Sequence, residues 1–264
     1  MGPVPVDPGT LSYGPIVTNL QRFDFRFKEN PGCCARSRCE CVEVRMCGRY
    51  TLTADQEALQ VALGVEGLVH PGPRYNIAPT QEVPAVVAPE GSPRGATLRW
   101  GLVPFWAKDP SIGNRMINAR SETAAEKPSF RTPFRRSRCL IPADGFFEWR
   151  KEEGGKVPFW IHMEDQEPFT MAGLWDRWKE PDGKELFTFT ILTTEPNEFL
   201  RPIHDRMPVI LARDERERWL DPGAPVEELQ ALLDPFPAEP MAVREVSTRV
   251  NSPRNDDPAC LEPV

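Results

Sequence analysis

The sequence lacks any apolar run that approaches the roughly 20 residues needed to cross a bilayer. Its first 30 residues also lack the basic-then-apolar order of a secretory signal. These two absences argue against a membrane-spanning or exported protein and predict a cytoplasmic one without membrane contact. With 40% hydrophobic residues in 264, the chain can still bury one sizeable core.

Histidine is scarce, and the seven cysteines are unevenly placed. Four of them lie within residues 33–41, which leaves Cys47, Cys139 and Cys260 for the rest of the chain. Three scattered cysteines do not make a disulfide framework. The four N-terminal ones lack paired C-x-x-C knuckles and a nearby histidine, so we predict no zinc site and no other metal.

The charge pattern has one local exception to an acidic whole. The formal net charge is −7, which excludes a surface that is basic throughout. Between Arg115 and Arg138, however, seven Lys and Arg residues stand against only Glu122 and Glu126. This basic segment is where a polyanion would dock. A solvated charged face is the alternative, and charge alone does not decide between them.

The chain divides into an extension and one domain. Residues 1–45 are predicted to be a poorly ordered N-terminal extension, because Pro and Gly punctuate it and periodicity is weak. The globular pattern begins at Met46, so residues 46–264 are predicted to form the domain. A capping box at Thr53 and Gln56 predicts a helix that ends at Leu63.

Strand-like runs dominate this domain, and its helices are short. Strands are expected near residues 83–88, 96–101, 145–150, 158–162, 170–174, 186–193, 208–212 and 241–247. Further helices are expected near residues 119–126, 195–200, 213–220 and 226–233. Because neither a βαβ alternation nor a fixed repeat is present, we predict an α+β fold. It is a single β-rich domain with a curved, largely antiparallel, barrel-like sheet and short peripheral helices.

Cys47 stands at the start of the globular pattern, in the run from Met46 to Tyr50. A cysteine with a free α-amine has two nucleophiles on neighbouring carbons. The amine can capture an aldehyde as a Schiff base, and the thiol can then close a five-membered thiazolidine. That chemistry is available to Cys47 only if residues 1–46 are absent.

Two side chains are candidates for moving protons. His204 lies between charges and prolines ahead of an apolar strand, where it can titrate near neutrality, and Asp205 or Glu148 could orient it. Glu148 lies on a predicted strand and shares a face with Phe146, so apolar surroundings would favour a general acid and base. The alternatives are a structural histidine and an edge-strand glutamate that faces water.

Asn118 and a group of aromatic residues are candidates for ligand contacts. Asn118 precedes a predicted helix, where it either caps that helix or presents its amide to a ligand, with Arg120 beside it for a phosphate. Trp100, Phe105 and Trp106 belong to a run that contains Gly and Pro. Such rings usually lie in a core, but a loop of this kind can expose one for base stacking.

The ordered motifs of the domain resemble those of the SOS-response-associated peptidase family. The resemblance spans Met46 to about Pro258, and its eight motifs are MCGRY at Met46, RYNIAPT at Arg74, RWGLVPFWA at Arg99, INARSET at Ile117, CLIPADGFFEW at Cys139, LTTEPN at Leu192, IHDRMPVIL at Ile203 and STRVNSPRNDDP at Ser247. The probability that eight motifs match in the same order by chance is very small.

The resemblance implies an activity and a role for each matching residue. In that family, the cysteine after the initiator methionine becomes N-terminal and crosslinks to the ring-opened aldehyde of an abasic site in single-stranded DNA. The implied catalytic residues are Cys47, Asn118, Glu148 and His204. The implied DNA-binding residues are the phosphate contact Arg120 and the pocket residues Arg49 and Asn76. Together with Trp100 and Trp106, these complete the predicted DNA surface.

The resemblance also implies an oligomeric state, a binding partner and a location for the protein. It predicts a monomer that needs no cofactor, binds single-stranded DNA with abasic sites, and joins the nucleoid when it acts there. Crosslinking would protect the abasic site in the DNA damage response, with lyase-like and autoproteolytic activities as possible additions.

One departure from the family leaves alternatives open. Here 45 residues precede the methionine that the family starts with. Either translation begins at Met46, or the chain cleaves itself before Cys47, or the extension stays and no crosslink forms. Other candidate functions are a cysteine peptidase or amidase that uses Cys47 with His204, and a single-strand binder that senses damage without reacting.

Overall fold

The computed structural model describes residues 48–264. The predictions for the extension and for Cys47 fall outside these residues.

The strands of the described part are β1 (Arg49–Leu52), β2 (Arg74–Ile77), β3 (Glu82–Val87), β4 (Arg94–Trp100), β5 (Asn118–Arg120), β6 (Arg138–Ala143), β7 (Gly145–Glu152), β8 (Gly155–Met163), β9 (Phe169–Lys179), β10 (Glu185–Thr194), β11 (Met207–Pro208), β12 (Ile210–Leu211) and β13 (Met241–Glu245).

The helices of residues 48–264 are all short. They are α1 (Gln56–Leu63), α2 (Ser121–Ala124), α3 (Arg131–Arg136), α4 (Glu215–Leu220) and α5 (Val226–Ala231). Asp55, and not the predicted Thr53, caps α1 by accepting a hydrogen bond from the Ala58 amide at 2.8 Å. The helix ends at Gly64, whose φ of 64° is the left-handed conformation that glycine adopts at little cost. None of these helices is long and apolar enough to cross a membrane.

Five strands close into a barrel. β10 pairs with β4, β4 with β3, β3 with β6, β6 with β9, and β9 pairs back with β10. The β10–β4 pairing is parallel and the other four are antiparallel. Trp100 lies in the core, stacked on Phe189 at 6.2 Å and edge-on to Tyr50 at 5.4 Å between ring centroids. The predicted β-rich, largely antiparallel, barrel-like fold is therefore confirmed.

A second sheet has the strand order β13-β8-β7-β1-β2. The chain passes into it from the barrel at Asp144, between β6 and β7. Asp144 is buried and accepts hydrogen bonds from the Thr53 hydroxyl at 2.7 Å and the Ala54 amide at 3.2 Å. The next residue is Gly145, where a Cβ atom would lie 2.1 Å from the Trp160 indole nitrogen, so only glycine fits. Asp144 and Gly145 therefore set the direction in which the chain leaves β6 and begins β7.

The eight predicted strand regions all contain strands, although residues 208–212 hold the two short strands β11 and β12. The strands β1, β2, β5 and β6 and the helix α3 were not predicted. The predicted helix at residues 195–200 is wrong, because the segment forms turns. There the Asn197 side chain accepts a hydrogen bond from the Leu200 amide at 3.0 Å and donates one to the Phe236 carbonyl at 2.9 Å.

The predicted helix at residues 119–126 is much shorter in the structure. It is confined to α2, because Asn118, Ala119 and Arg120 form β5 beside Ile191 to Thr193 of β10. Asn118 is thus on a strand and does not cap a helix. Ladder hydrogen bonds to β10 outweigh the local helical preference of the segment.

Candidate functional site

Glu148 and His204 lie together in the interior. The distance between His204 Nε2 and Glu148 Oε2 is 3.8 Å, with side chains only 7% and 2% exposed. Glu148 shares its face of β7 with Phe146, as predicted, while Phe147 and Trp149 pack in a separate cluster on the other face. Since β7 lies between β8 and β1, Glu148 is not an edge residue that faces water.

The other ring nitrogen of His204 is held from its own loop. Nδ1 accepts a hydrogen bond from the Arg206 amide at 3.2 Å, and the exposed Asp205 carboxylate lies 3.1 Å from the same nitrogen. The Arg206 amide favours an unprotonated Nδ1 and the Asp205 carboxylate favours a protonated one, so Nδ1 has a suitable neighbour in either protonation state. Both carboxylates that were expected to orient His204 contact it.

The first described residue, Gly48, lies beside these groups. A Cβ atom on Gly48 would lie 4.0 Å from the Ile117 side chain, which directly precedes Asn118. Gly48 also precedes Arg49, whose partner across the ladder is Phe147, so the start of β1 and Glu148 lie at the same end of this strand pair. The structure therefore brings the start of β1 close to Asn118 and to Glu148.

Arg49 and Asn76 bind the segment at residues 250–255. The Asn76 side chain is fully buried, and its amide nitrogen lies 3.1, 3.0 and 2.7 Å from the carbonyl oxygens of Val250, Ser252 and Asn255. Arg49 Nη1 donates to Asn76 Oδ1 at 2.9 Å and to the Val250 carbonyl at 2.6 Å. The structure thus places the Asn76 amide inside the protein, which corrects its assignment to the DNA surface.

The same segment is anchored to β2 by Asp256. Its carboxylate accepts hydrogen bonds from the amides of Tyr75 at 2.6 Å and Asn76 at 3.0 Å, and it pairs with Arg74. Burial lowers the pKa of Arg49 from its usual range. Sequence reasoning missed this anchoring, although the dense polar run from Ser247 to Pro258 signalled it.

The predicted aromatic contacts separate into a core residue and a surface residue. Trp100 is only 1% exposed, and its indole nitrogen donates to the Ile117 carbonyl at 2.8 Å. Its assignment to the DNA surface is therefore wrong, because a ring packed on both sides has no face left for a base. Trp106 is 48% exposed and remains available for stacking.

The basic segment is mostly a surface. Arg115, Arg120, Lys127, Arg131, Arg135 and Arg136 are exposed. Arg138 is the exception, because it is buried and donates to the carbonyls of Trp219 at 2.6 Å, Phe134 at 2.8 Å and Asp221 at 2.5 Å. Six of the seven cations in this segment therefore remain for a polyanion.

The remaining histidines and cysteines of residues 48–264 are packed into the structure. His70 is buried, and His162 stacks on Trp160 with ring centroids 4.1 Å apart. Burial raises the pKa of the Cys139 thiol, and it also raises that of Cys260. Both thiols are buried and poorly suited to nucleophilic attack. Within this part of the chain, no group of three or more His, Cys, Asp or Glu side chains is placed to hold a metal ion.

Fold and site together define a β-barrel protein with a buried glutamate and histidine close to the start of its first strand. A family model described as SOS response associated peptidase (SRAP) matches residues 46–253. The chain belongs to this family, as its motifs predicted. Abasic site processing protein YoqW of Bacillus subtilis is 43% identical over 222 residues, which cover 82% of this chain and 99% of that protein.

One more distant relative has the same kind of name, and two solved structures have a similar fold. Abasic site processing protein HMCES of Gallus gallus is 39% identical over 225 residues, which cover 73% of this chain and 66% of that protein. A crystal structure of a Bacteroides thetaiotaomicron protein superposes with a TM-score of 0.74 at 32% identity, covering 83% of this chain and all of that one. A Bordetella bronchiseptica structure gives 0.66 at 28% identity, covering 76% of this chain and 100% of that one.

Proposed function

We propose that this chain processes abasic sites in single-stranded DNA by forming a covalent crosslink through Cys47. The observation that best supports this is the buried Glu148–His204 pair beside the start of β1. Continued by one residue, the register of Arg49 with Phe147 pairs Gly48 with Glu148, and we infer that Cys47, the residue before Gly48, is the nucleophile that this pair serves. The names of the relatives support the same substrate.

The proposed reaction needs no oxidant or cofactor. The α-amine of Cys47 adds to the C1′ aldehyde of the ring-opened deoxyribose, and the carbinolamine loses water to give an imine. The Cys47 sulfur then bonds to the imine carbon, and the thiol proton passes to the nitrogen, which closes a thiazolidine. Each bond that forms is matched by a proton transfer or by the loss of one water.

In this proposal, Glu148 and His204 carry out the proton transfers. A closed hemiacetal must lose its C1′ hydroxyl proton and gain one on the ring oxygen, and His204 serves that opening. Glu148 takes and returns protons during condensation and ring closure. Asn118 holds sugar and thiol in register, which is a positioning task.

The proposed DNA surface is smaller than the one expected from sequence. Arg120 binds a phosphate, and Trp106 stacks on a base. Arg49 and Asn76 act indirectly, because they hold the segment at residues 250–255 next to β1 and β2. The crosslink would shield the abasic site from strand cleavage during the DNA damage response.

The proposal requires that Cys47 have a free α-amine, because a secondary amide does not condense with an aldehyde. The active chain is therefore proposed to begin at Cys47, with residues 1–46 absent, and its domain to span residues 47–264. The match of the family model from residue 46 is consistent with this start. Initiation at Met46 followed by removal of that methionine would produce the same active chain as cleavage before Cys47.

One gel experiment tests the proposal. Protein that begins at Cys47 is mixed with a single-stranded oligonucleotide containing one abasic site and run under denaturing conditions, with an intact oligonucleotide as control. We expect a heat-stable shifted band whose mass equals protein plus DNA minus one water. Cys47→Ala should give no such band, and Cys47→Ser should give only an imine that heat removes.

The same experiment separates the proposal from two other functions. The word peptidase in the family description favours a thiol hydrolase that uses Cys47 and His204. Peptide cleavage without a covalent DNA band would establish that function instead. A shift seen only on a native gel would mean a binder that senses damage without reacting.

A further inference from the structure

The loop at residues 103–107 exposes two large aromatic side chains. Phe105 is 62% exposed and Trp106 is 48% exposed, although Val103 at the start of the loop is fully buried. Nothing in the packing of the exposed rings themselves fixes the loop, so other contacts must set its conformation. One is a turn within the loop, in which the Ala107 amide donates to the Pro104 carbonyl at 2.8 Å, and the others come from the hairpin of β9 and β10.

Three side chains of this hairpin bind alternate residues of the loop. Thr188 Oγ1 accepts a hydrogen bond from the Val103 amide at 2.8 Å, and Asp176 Oδ2 accepts one from the Phe105 amide at 2.9 Å. The Trp178 indole nitrogen donates to the Ala107 carbonyl at 2.7 Å.

The spacing of these bonds follows from strand geometry. Thr188 is the cross-strand partner of Asp176, and Trp178 lies two residues further along β9, so all three side chains are on one face of the hairpin. The loop runs along that face and meets it at every second residue. The Asp176 carboxylate is itself fixed, because its other oxygen accepts a hydrogen bond from the Arg177 amide at 2.8 Å.

We propose that Thr188, Asp176 and Trp178 are positioning residues that hold the aromatic loop ready to stack on bases of single-stranded DNA. The DNA part of this inference rests on the proposed function. A loop ordered before binding loses less conformational entropy when DNA arrives, which raises affinity without any new contact. The same strand β10 pairs with β5, so the loop is also held in fixed register with Asn118.

The test uses two matched valine substitutions on β10. Thr188→Val removes the hydroxyl that binds the loop, and Thr190→Val makes the same change at a buried hydroxyl that has no hydrogen-bond partner. Binding of an intact single-stranded oligonucleotide is measured at fixed salt, together with the melting temperature. We expect Thr188→Val to weaken binding about 5- to 10-fold, and Thr190→Val by less than about 2-fold.

A third substitution separates positioning from general loss of structure. If the hairpin acts through the loop, Thr188→Val should weaken binding little further in a Trp106→Ala background, because the stacking ring is already gone. Equal affinities for the two valine variants, or a full effect of Thr188→Val in the Trp106→Ala background, would overturn the inference. Trp178→Phe removes the indole donor together with part of a buried ring, so it should weaken binding at least as much as Thr188→Val.

Amide hydrogen exchange in the free protein keeps this inference separate from the proposed function. Thr188→Val should speed exchange of the Val103 amide at least about 5-fold, while Thr190→Val should leave it unchanged. If exchange of the Val103 amide is unchanged in both variants, the hairpin does not position the loop. This conclusion does not depend on what the protein does to DNA. Failure of the unaltered protein to crosslink abasic DNA would instead refute the proposed function.

Discussion

At the scale of single residues, the two ring nitrogens of His204 have different neighbours. Its Nε2 atom lies 3.8 Å from Glu148, which is longer than a hydrogen bond, while Nδ1 is bound by the Arg206 amide. In the proposed reaction, Nε2 transfers a proton to a substrate oxygen while Glu148 stabilises the charge that develops.

Replacing either member of the pair should slow the reaction without weakening DNA binding. Glu148→Gln and His204→Ala are each expected to slow crosslinking by tens to about a thousand-fold, because each removes a group that moves protons. Single-turnover rates at saturating DNA give the measurement. Glu152→Gln, at the exposed end of the same strand, is the control. Unchanged rates in both variants would make the pair structural.

Asn76 gives a residue-scale prediction about stability. Asn76→Asp would replace an amide donor with a carboxylate oxygen that faces the carbonyls of Val250, Ser252 and Asn255. Arg49 would still pair with one carboxylate oxygen, but the other oxygen would repel three buried carbonyls that have lost their donor, so the free energy of unfolding should fall by about 2 kcal/mol or more. Urea unfolding measures this cost. The exposed Asn114→Asp should change it by less than about 0.5 kcal/mol, and similar small losses for both variants would contradict the buried role of Asn76.

At the scale of elements, an ion pair joins the helix after β5 to the loop that contains His204. Glu122 of α2 pairs with the buried Arg206 guanidinium, which also donates to the Thr193 carbonyl at 2.5 Å. Since Arg206 follows His204 by two residues, this contact links the Asn118 segment to the histidine. The Arg206 guanidinium holds the pKa of Glu122 below its usual value.

The lowered pKa predicts how this link responds to pH. A carboxyl group whose pKa is lower in the folded state stabilises the protein fully above its ordinary pKa, and the gain is lost as pH falls through the folded value. Glu122→Gln should therefore destabilise the protein at neutral pH and differ least from it in acid. Unfolding free energies of the two proteins across this range give the test. A constant difference at every pH would contradict the ion pair.

Sequence patterns predicted the longest strands and missed β1, β2, β5 and β6, for physical reasons. The strands β8, β9 and β10 contain β-branched and aromatic residues over 9 to 11 positions, so their preference is clear locally. In contrast, β5 has three residues and exists only because it pairs with β10. Trp100 and Asn76 were placed on the surface because motif position does not reveal burial, which depends on distant strands.

At the scale of the whole domain, the barrel and the second sheet supply different parts of the candidate site. β10 holds Asn118 through β5, and it leads into the turns before His204. The second sheet supplies Glu148 on β7 and the start of β1. Groups from both sheets therefore converge at the start of β1, and the central claim of the proposed function is that Cys47 is the nucleophile that they serve.

The most direct test of this claim compares the 264-residue chain with the chain that begins at Cys47. Both are incubated with abasic single-stranded DNA over the same time course, and the intact mass of each protein is recorded before and after. The chain that begins at Cys47 should crosslink, and the long chain should stay inert as long as its mass includes residues 1–46. Crosslinking by a long chain of unchanged mass would contradict the account, because the α-amine of Cys47 would then not be required.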